Sequence, residues 1–198
     1  MDSIGEWEQY WRQRLASECP QQSYTNRETI LHWLGYDLNQ LELVTPTQLK
    51  TIVQRMEYRL SSLRQRYLGV ERQQAYRHLI TRLANIAIFQ YGIQAGVFHR
   101  GDGTRRLHLT AHRLSIVIDV LPKVLVDILQ NDKYMQQQMA QIAQLTKDEQ
   151  LRNALLFASL EEYCWRSIHN QPLLAYCFVD YLQRTSCCSG LTKHPAMR

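Results

Sequence analysis

From Leu49 to Tyr67 the apolar residues Leu49, Ile52, Val53, Met56, Leu60, Leu63 and Tyr67 fall on one stripe of a helix, and Gly69 stands just past its end. Apolar residues recurring at three- and four-residue intervals bury a single face only when the segment is an amphipathic α-helix. A glycine just past such a stripe commonly takes left-handed backbone and ends it. Beyond the Leu68-Gly69-Val70 turn a second helical pattern runs from about Arg72 to Tyr91. Ala75, Leu79, Leu83 and Ile86 share its buried face, and Gln73, Gln74, Arg77, Thr81 and Asn85 lie opposite. These two helices around a tight turn are the strongest local constraint in the chain.

The rest of the sequence also reads as helix. Residues 4–18 carry Ile4, Trp7, Trp11 and Leu15 at helical spacing, and residues 27–35 predict a short helix. Thr45, Pro46 and Gln48 form a helix start, with Thr45 as N-cap and Gln48 completing a capping box. Residues 92–106 break the pattern with Gly92, Gly96, Gly101 and Gly103. A β-hairpin over 97–109 would add a wing to the helix pair, the alternative being an ordinary flexible loop. Residues 111–130 predict a strongly apolar helix that Pro122 kinks or divides. Asp132 is expected to cap the next helix, Thr146 to Glu149 to form a capping box, and Asn170-Pro172 to open the last helix. The chain from about Thr185 reads as an unstructured tail.

Charge is concentrated where the helix pair lies. Residues 50–83 hold eight Lys/Arg and two acids, a net of +6 against +5 for the whole chain of 198 residues. A local basic excess is the electrostatic footprint of a nucleic-acid surface, and its alternative is a solvated Arg-rich face. Five Cys, an odd number without paired spacing, argue against a disulfide framework and for reduced thiols in a cytoplasmic protein. MDSIGEWEQYWRQ has no apolar run, so no signal peptide is expected. Ser115–Leu129, the longest apolar stretch, is interrupted by Asp119, Pro122, Lys123 and Asp127, so no membrane partner is expected.

Motifs for catalysis are weak. The sequence has no phosphate-binding loop, dinucleotide fingerprint, CxxC or GxSxG. His108 and His112 stand at i, i+4 with His99 nearby, but no local Cys or carboxylate completes a metal set. Glu161-Glu162 with Cys164 and His169 could be drawn as a catalytic cluster, but acids on a solvated helix face explain the pair better. Cys187-Cys188 falls in the expected tail. Trp7, Trp11, Tyr163 and Trp165 sit at helical spacing among apolar residues and predict core packing rather than base stacking. No enzyme activity and no cofactor are expected.

A helix-turn-helix usually places Val or Ile after the turn Gly and an apolar residue six after it, which Val70 and Ala75 satisfy. Tyr76 and Arg77 then occupy positions that often reach phosphate and base. Gln65 and Arg64 depart from the pattern, standing where a small and an apolar residue are usual, and the first helix is long for the motif. The alternative is a plain helical hairpin with a glycine cap.

Four longer words bear on the choice: LRQRYLGVERQQAYRHLITRL (63–83), DKYMQQQMAQIA (132–143), LRNALLFASLEEYC (151–164) and NQPLLAYCFVDYL (170–182). Together they resemble the HetZ-related proteins of cyanobacteria, over roughly residues 60–185. The resemblance implies a helix-turn-helix regulator of heterocyst differentiation, acting in the circuit of the regulator HetR. It implies DNA contact mainly through Arg72, Gln73, Tyr76 and Arg77.

The expected fold class is thus all-α, a helical domain containing a helix-turn-helix. Residues 1–44 would be an N-terminal helical extension, 45–109 the DNA-binding region, 110–184 a support and dimerisation region, and 185–198 a flexible tail. The expected function is a transcription regulator binding double-stranded DNA. Arg77 and Gln73 would read base edges while Arg72, Tyr76, Arg64 and Arg66 hold phosphates. Expected protein partners are a second copy, through Ile116–Leu129, and a regulator such as HetR. Burial of Ile116–Leu129 in the chain's own core is the alternative for that segment. The alternative function is a helical adaptor that binds another regulator without touching DNA.

Overall fold

The computed structural model describes residues 4–35, 45–94, 103–168 and 171–189, and the side chains of 7–35, 45, 47–87, 117–167 and 172–185. The fold is all-α. Its helices are α1 (Ile4–Glu18), α2 (Tyr24–Leu34), α3 (Pro46–Ser62), α4 (Arg72–Gln94), α5 (Gly103–Asn131), α6 (Lys133–Leu145), α7 (Glu149–Trp165) and α8 (Leu173–Ser189). A two-residue antiparallel ribbon, β1 (Ser167–Ile168) with β2 (Gln171–Pro172), joins α7 to α8, pairing Ser167 with Pro172 and Ile168 with Gln171. None of the described helices is long and apolar enough to cross a membrane.

The chain divides into two compact units, each made of two stretches: Met1–His78 with Lys133–Glu162, and Leu79–Asp132 with Tyr163–Arg198. The division falls inside α4 and inside α7, so these helices contribute to both.

In the first unit α1 packs on α2. Trp11 and Leu15, one turn apart, are buried, as are Ile30, Leu31, Trp33 and Leu34 of α2. Ser23 caps α2 by accepting the Asn26 N–H at 3.1 Å. Gly35 closes the helix where a Cβ would lie 2.9 Å from Trp7 Cη2, so only glycine lets the indole lie this close. The capping box at the start of α3 forms as its sequence predicts, with Gln48 N–H on Thr45 Oγ1 at 3.3 Å and Thr45 N–H on Gln48 Oε1 at 2.9 Å. The buried stripe of α3 begins at Ile52 and runs through Met56, Leu60, Leu63 and Tyr67, while Leu49 is exposed because it lies in the first turn.

In the second unit α5 packs against α8. Val117, Leu121, Val124, Leu125 and Ile128 are buried, with Leu174 and Phe178 of α8. Asp127 receives Arg184 at 2.7 Å.

Several sequence expectations change. The second strand of the expected hairpin is helix, since α5 already begins at Gly103, and 97–102 with His99 lie outside the described residues. Helix propensity in TRRLHLTAHRL overrides the turn signal of Gly101-Asp102-Gly103. Pro122 sits inside an undivided α5. The cap of α7 is Asp148, whose Oδ1 accepts the N–H groups of Gln150 and Leu151 at 2.9 and 3.3 Å, while Thr146 Oγ1 accepts Asp148 N–H. Gln171-Pro172 forms the second strand of the ribbon rather than opening α8, and Asn170 lies outside the described residues. The expected tail is helical through Ser189, so Cys187 and Cys188 belong to α8. The side chains of His108 and His112 lie outside the described ones, and His169 lies outside the described residues.

Candidate nucleic-acid interface

α3 does not run unchanged into the turn. The five residues that follow it, Leu63–Tyr67, form a π-helical turn, closed by Leu68 N–H on the Leu63 carbonyl at 2.8 Å. Such widened turns are frequent at functional sites. Gly69 follows at φ +75°, the left-handed backbone its position predicts, and Val70 N–H returns to the Tyr67 carbonyl at 3.3 Å. α4 then begins at Arg72. His78 Nδ1 donates to the Arg66 carbonyl at 3.1 Å, so the second turn of α4 is tied back to the π turn.

The π turn is held from below by Glu161 of α7. This carboxylate is fully buried and accepts four hydrogen bonds from described side chains. Tyr58 Oη and Arg66 Nη2 reach Oε1 at 2.9 and 3.0 Å, and Tyr67 Oη and Arg66 Nε reach Oε2 at 2.5 and 3.1 Å. Arg66 Nη2 also donates to Ser62 Oγ at 2.6 Å. Burial first, and the Glu161 charge second, push the Tyr58 and Tyr67 phenols above their ordinary range. Next door Glu162 is paired with the fully buried Arg59 at 3.3 Å, and Arg59 donates to Tyr134 Oη at 2.7 Å. The Arg59 guanidinium lies 5.7 Å from the centre of the Trp33 ring, whose Nε1 donates to Ser159 Oγ at 2.9 Å.

Glu161 and Glu162 are therefore interior, not the solvated acids their position late in α7 suggested, and Cys164 beside them is buried too. Burying two adjacent carboxylates is tolerable only where cations and donors saturate them. The sequence did carry a signal for this: Arg55, Arg59, Ser62 and Arg66 form a second, polar stripe at i, i+4, i+7, i+11 beside the apolar one. Trp165 also departs from expectation, being 38% exposed with the Arg82 guanidinium 5.7 Å from its ring centre.

The residues expected to meet DNA are not alike. Arg72, Gln73, Tyr76 and Arg77 are all exposed on the first two turns of α4, while Ala75 and Leu79 are buried. Gln73 and Arg77, one turn apart, point away from the buried face. Tyr76 is 41% exposed and leans on Phe157, ring centres 6.4 Å apart. Arg72 is 3.6 Å from Glu149, beside a groove of about 520 Å³ that separates the starts of α4 and α7. Arg64, on the π turn, is exposed but holds Glu18 at 2.9 Å. Arg66 is the one turned inward, committed to Glu161.

The basic excess of residues 50–83 is thus half answered from elsewhere in the chain. Arg55 and Arg59 face Glu162, Arg64 faces Glu18, Arg66 faces Glu161 and Arg72 faces Glu149. Those four carboxylates lower the segment's +6 by four, and Arg14 of α1, paired with Glu57, returns one, leaving +3. Arg77 makes no ion pair among the described residues. Among the described residues no three His, Cys, Asp or Glu side chains gather as a metal site. No family model, curated protein or solved structure matches the chain.

Proposed function

We propose that this chain is a DNA-binding regulator that reads duplex DNA with the start of α4. The observation that carries the reading is Arg77. It is an exposed guanidinium with no ion pair among the described residues, on the outward face of the helix after a left-handed glycine turn. An arginine so placed can grip guanine O6 and N7, and Gln73, one turn earlier, can pair with adenine N6 and N7. Arg72, Tyr76 and Arg64 hold phosphates, the two arginines exchanging Glu149 and Glu18 for the backbone. Arg66 acts beneath the surface, fixing the π turn from which α4 departs. The resemblance to HetZ-related proteins supports the same reading. By that likeness the protein works in the cytoplasm, in the circuit of HetR, with HetR or a similar regulator as protein partner.

A second reading, an adaptor that binds a regulator without DNA, is favoured by the internal pairing of so many basic side chains. Fluorescence anisotropy separates the two. Wild type and Arg77→Ala are titrated into a duplex from the gene's own upstream region and into a scrambled duplex, over a series of salt concentrations. The regulator binds the first duplex selectively, and Arg77→Ala loses that preference without losing thermal stability. With only two or three cations free for phosphate, log K should fall against log salt with a slope of roughly −2 to −3. Equal, weak binding by both proteins to both duplexes establishes the adaptor.

A further inference from the structure

One strip of α5 is engaged inside its own unit, through Val117, Leu121, Val124, Leu125 and Ile128. A neighbouring strip is apolar as well, yet faces solvent. Ile118 and Val126 are 49% and 50% exposed, and Pro122 and Leu129 are half-buried beside them. Their spacing of i, i+4, i+8 and i+11 places all four within a sector of about 80° of the helix. Asp119 and Lys123 are exposed along one border of this sector. Although they stand at i, i+4, they make no ion pair with each other or with any other described residue.

We propose that this strip is a homodimer interface, in which α5 packs antiparallel on α5 of a second copy about a two-fold axis at Pro122. The pattern is self-complementary only in that arrangement. Ile118 meets the second copy's Val126, Pro122 meets its counterpart, and Asp119 meets the second copy's Lys123 on the same flank. A parallel two-fold pairing would carry the Asp119 and Lys123 of the two copies to opposite flanks of the helix pair, where they could not meet. A two-fold interface requires that one patch answer itself, and this strip does so in shape of pattern and in charge. A single helix pair covers little surface by the standards of permanent dimers, so the association is in the weak, concentration-dependent class. The inference stands on α5 alone and is independent of the DNA reading.

Sedimentation equilibrium of the full chain over a concentration series tests it. Wild type should show a monomer–dimer equilibrium. Val126→Asp, at a half-exposed position, should remain monomeric with an unchanged melting temperature. Asp119→Lys and Lys123→Asp should each weaken self-association by about tenfold, because each replaces two attractive pairs with two repulsive ones. Mixed together, these two variants should associate more tightly than either alone, since a copy with two lysines then faces a copy with two aspartates. A wild type monomeric throughout the series would overturn the proposal, as would a Val126→Asp protein that still dimerises. A mixture no stronger than its components would overturn the antiparallel register, and with it the proposal.

Discussion

Tyr67 donates its phenolic proton to Oε2 of Glu161 across 2.5 Å, although 94 positions separate them in the chain. The contact links the last residue of the π turn to the end of the first unit's second stretch. It also closes the set of four donors on a carboxylate that has no access to water.

Removing that carboxylate leaves Arg66 without its counter-charge and two phenols without their acceptor. Glu161→Ala should therefore lower the unfolding free energy by about 3–5 kcal/mol. Tyr67→Phe deletes one donor of four and should cost about 1–3 kcal/mol. Urea denaturation followed by circular dichroism measures both. A Glu161→Ala protein as stable as wild type would mean that the carboxylate is not buried among these donors.

Two glycines should fail for different reasons. Gly69→Ala meets nothing within 4 Å but must hold φ +75°, so its cost is one residue's left-handed strain, about 1–2 kcal/mol. Gly69→Asn should recover part of that loss, because asparagine tolerates this backbone. Gly35→Ala has ordinary backbone but drives a methyl to 2.9 Å from the Trp7 ring. Its loss should come with a changed tryptophan emission spectrum, which Gly69→Ala should leave alone. Thermal melts read the first effect and fluorescence the second.

Alkaline pH should unfold the protein early. Burial, then Glu161, holds the Tyr58 and Tyr67 phenols above their ordinary 10.0, and burial, then Asp132, does the same for Tyr163. Burial, then Asp132, pushes the Cys177 thiol up from 9.0 to about 11. In the unfolded chain these groups lose their protons near their ordinary values, whereas the folded chain keeps them. Their contribution is complete at pH 8, falls once the pH passes 9 and 10, and is lost as it rises through the folded values. The melting temperature should drop steadily from about pH 9 upward, and Tyr67→Phe should flatten part of that slope. A melting temperature constant to pH 11 would contradict it.

The first-unit helices were legible because their signals are local. Thr45, Pro46 and Gln48 announce α3 within four residues, and the 52–67 stripe needs no partner to be read. Gly69 announces the turn in the same way. The outward face of α4 was legible for the same reason, since Gln73 and Arg77 alternate with Ala75 and Leu79 on one helix. What could not be read was pairing over distance. Nothing near Arg66 or Arg59 in sequence says that Glu161 and Glu162 neutralise them from α7. Counting charge along 50–83 consequently overstated the free cations. Thr146 hid the true cap for a subtler reason: Asp148 is as good a cap and stands next to the first helical residue. The start of α5 was misread because Gly101-Asp102-Gly103 is an equally good turn before a helix and inside a hairpin.

The four donors around Glu161 also set an order of events during synthesis. Tyr58, Arg66 and Tyr67 leave the ribosome well before their shared acceptor exists. At ordinary elongation rates the interval is about 5–20 s. Until then the π turn and the start of α4 have no anion to close on, and Arg66 is one more free cation. A nascent chain halted before α7 would thus display a more basic surface than the finished protein, and any grip on nucleic acid at that stage would be loose and unselective.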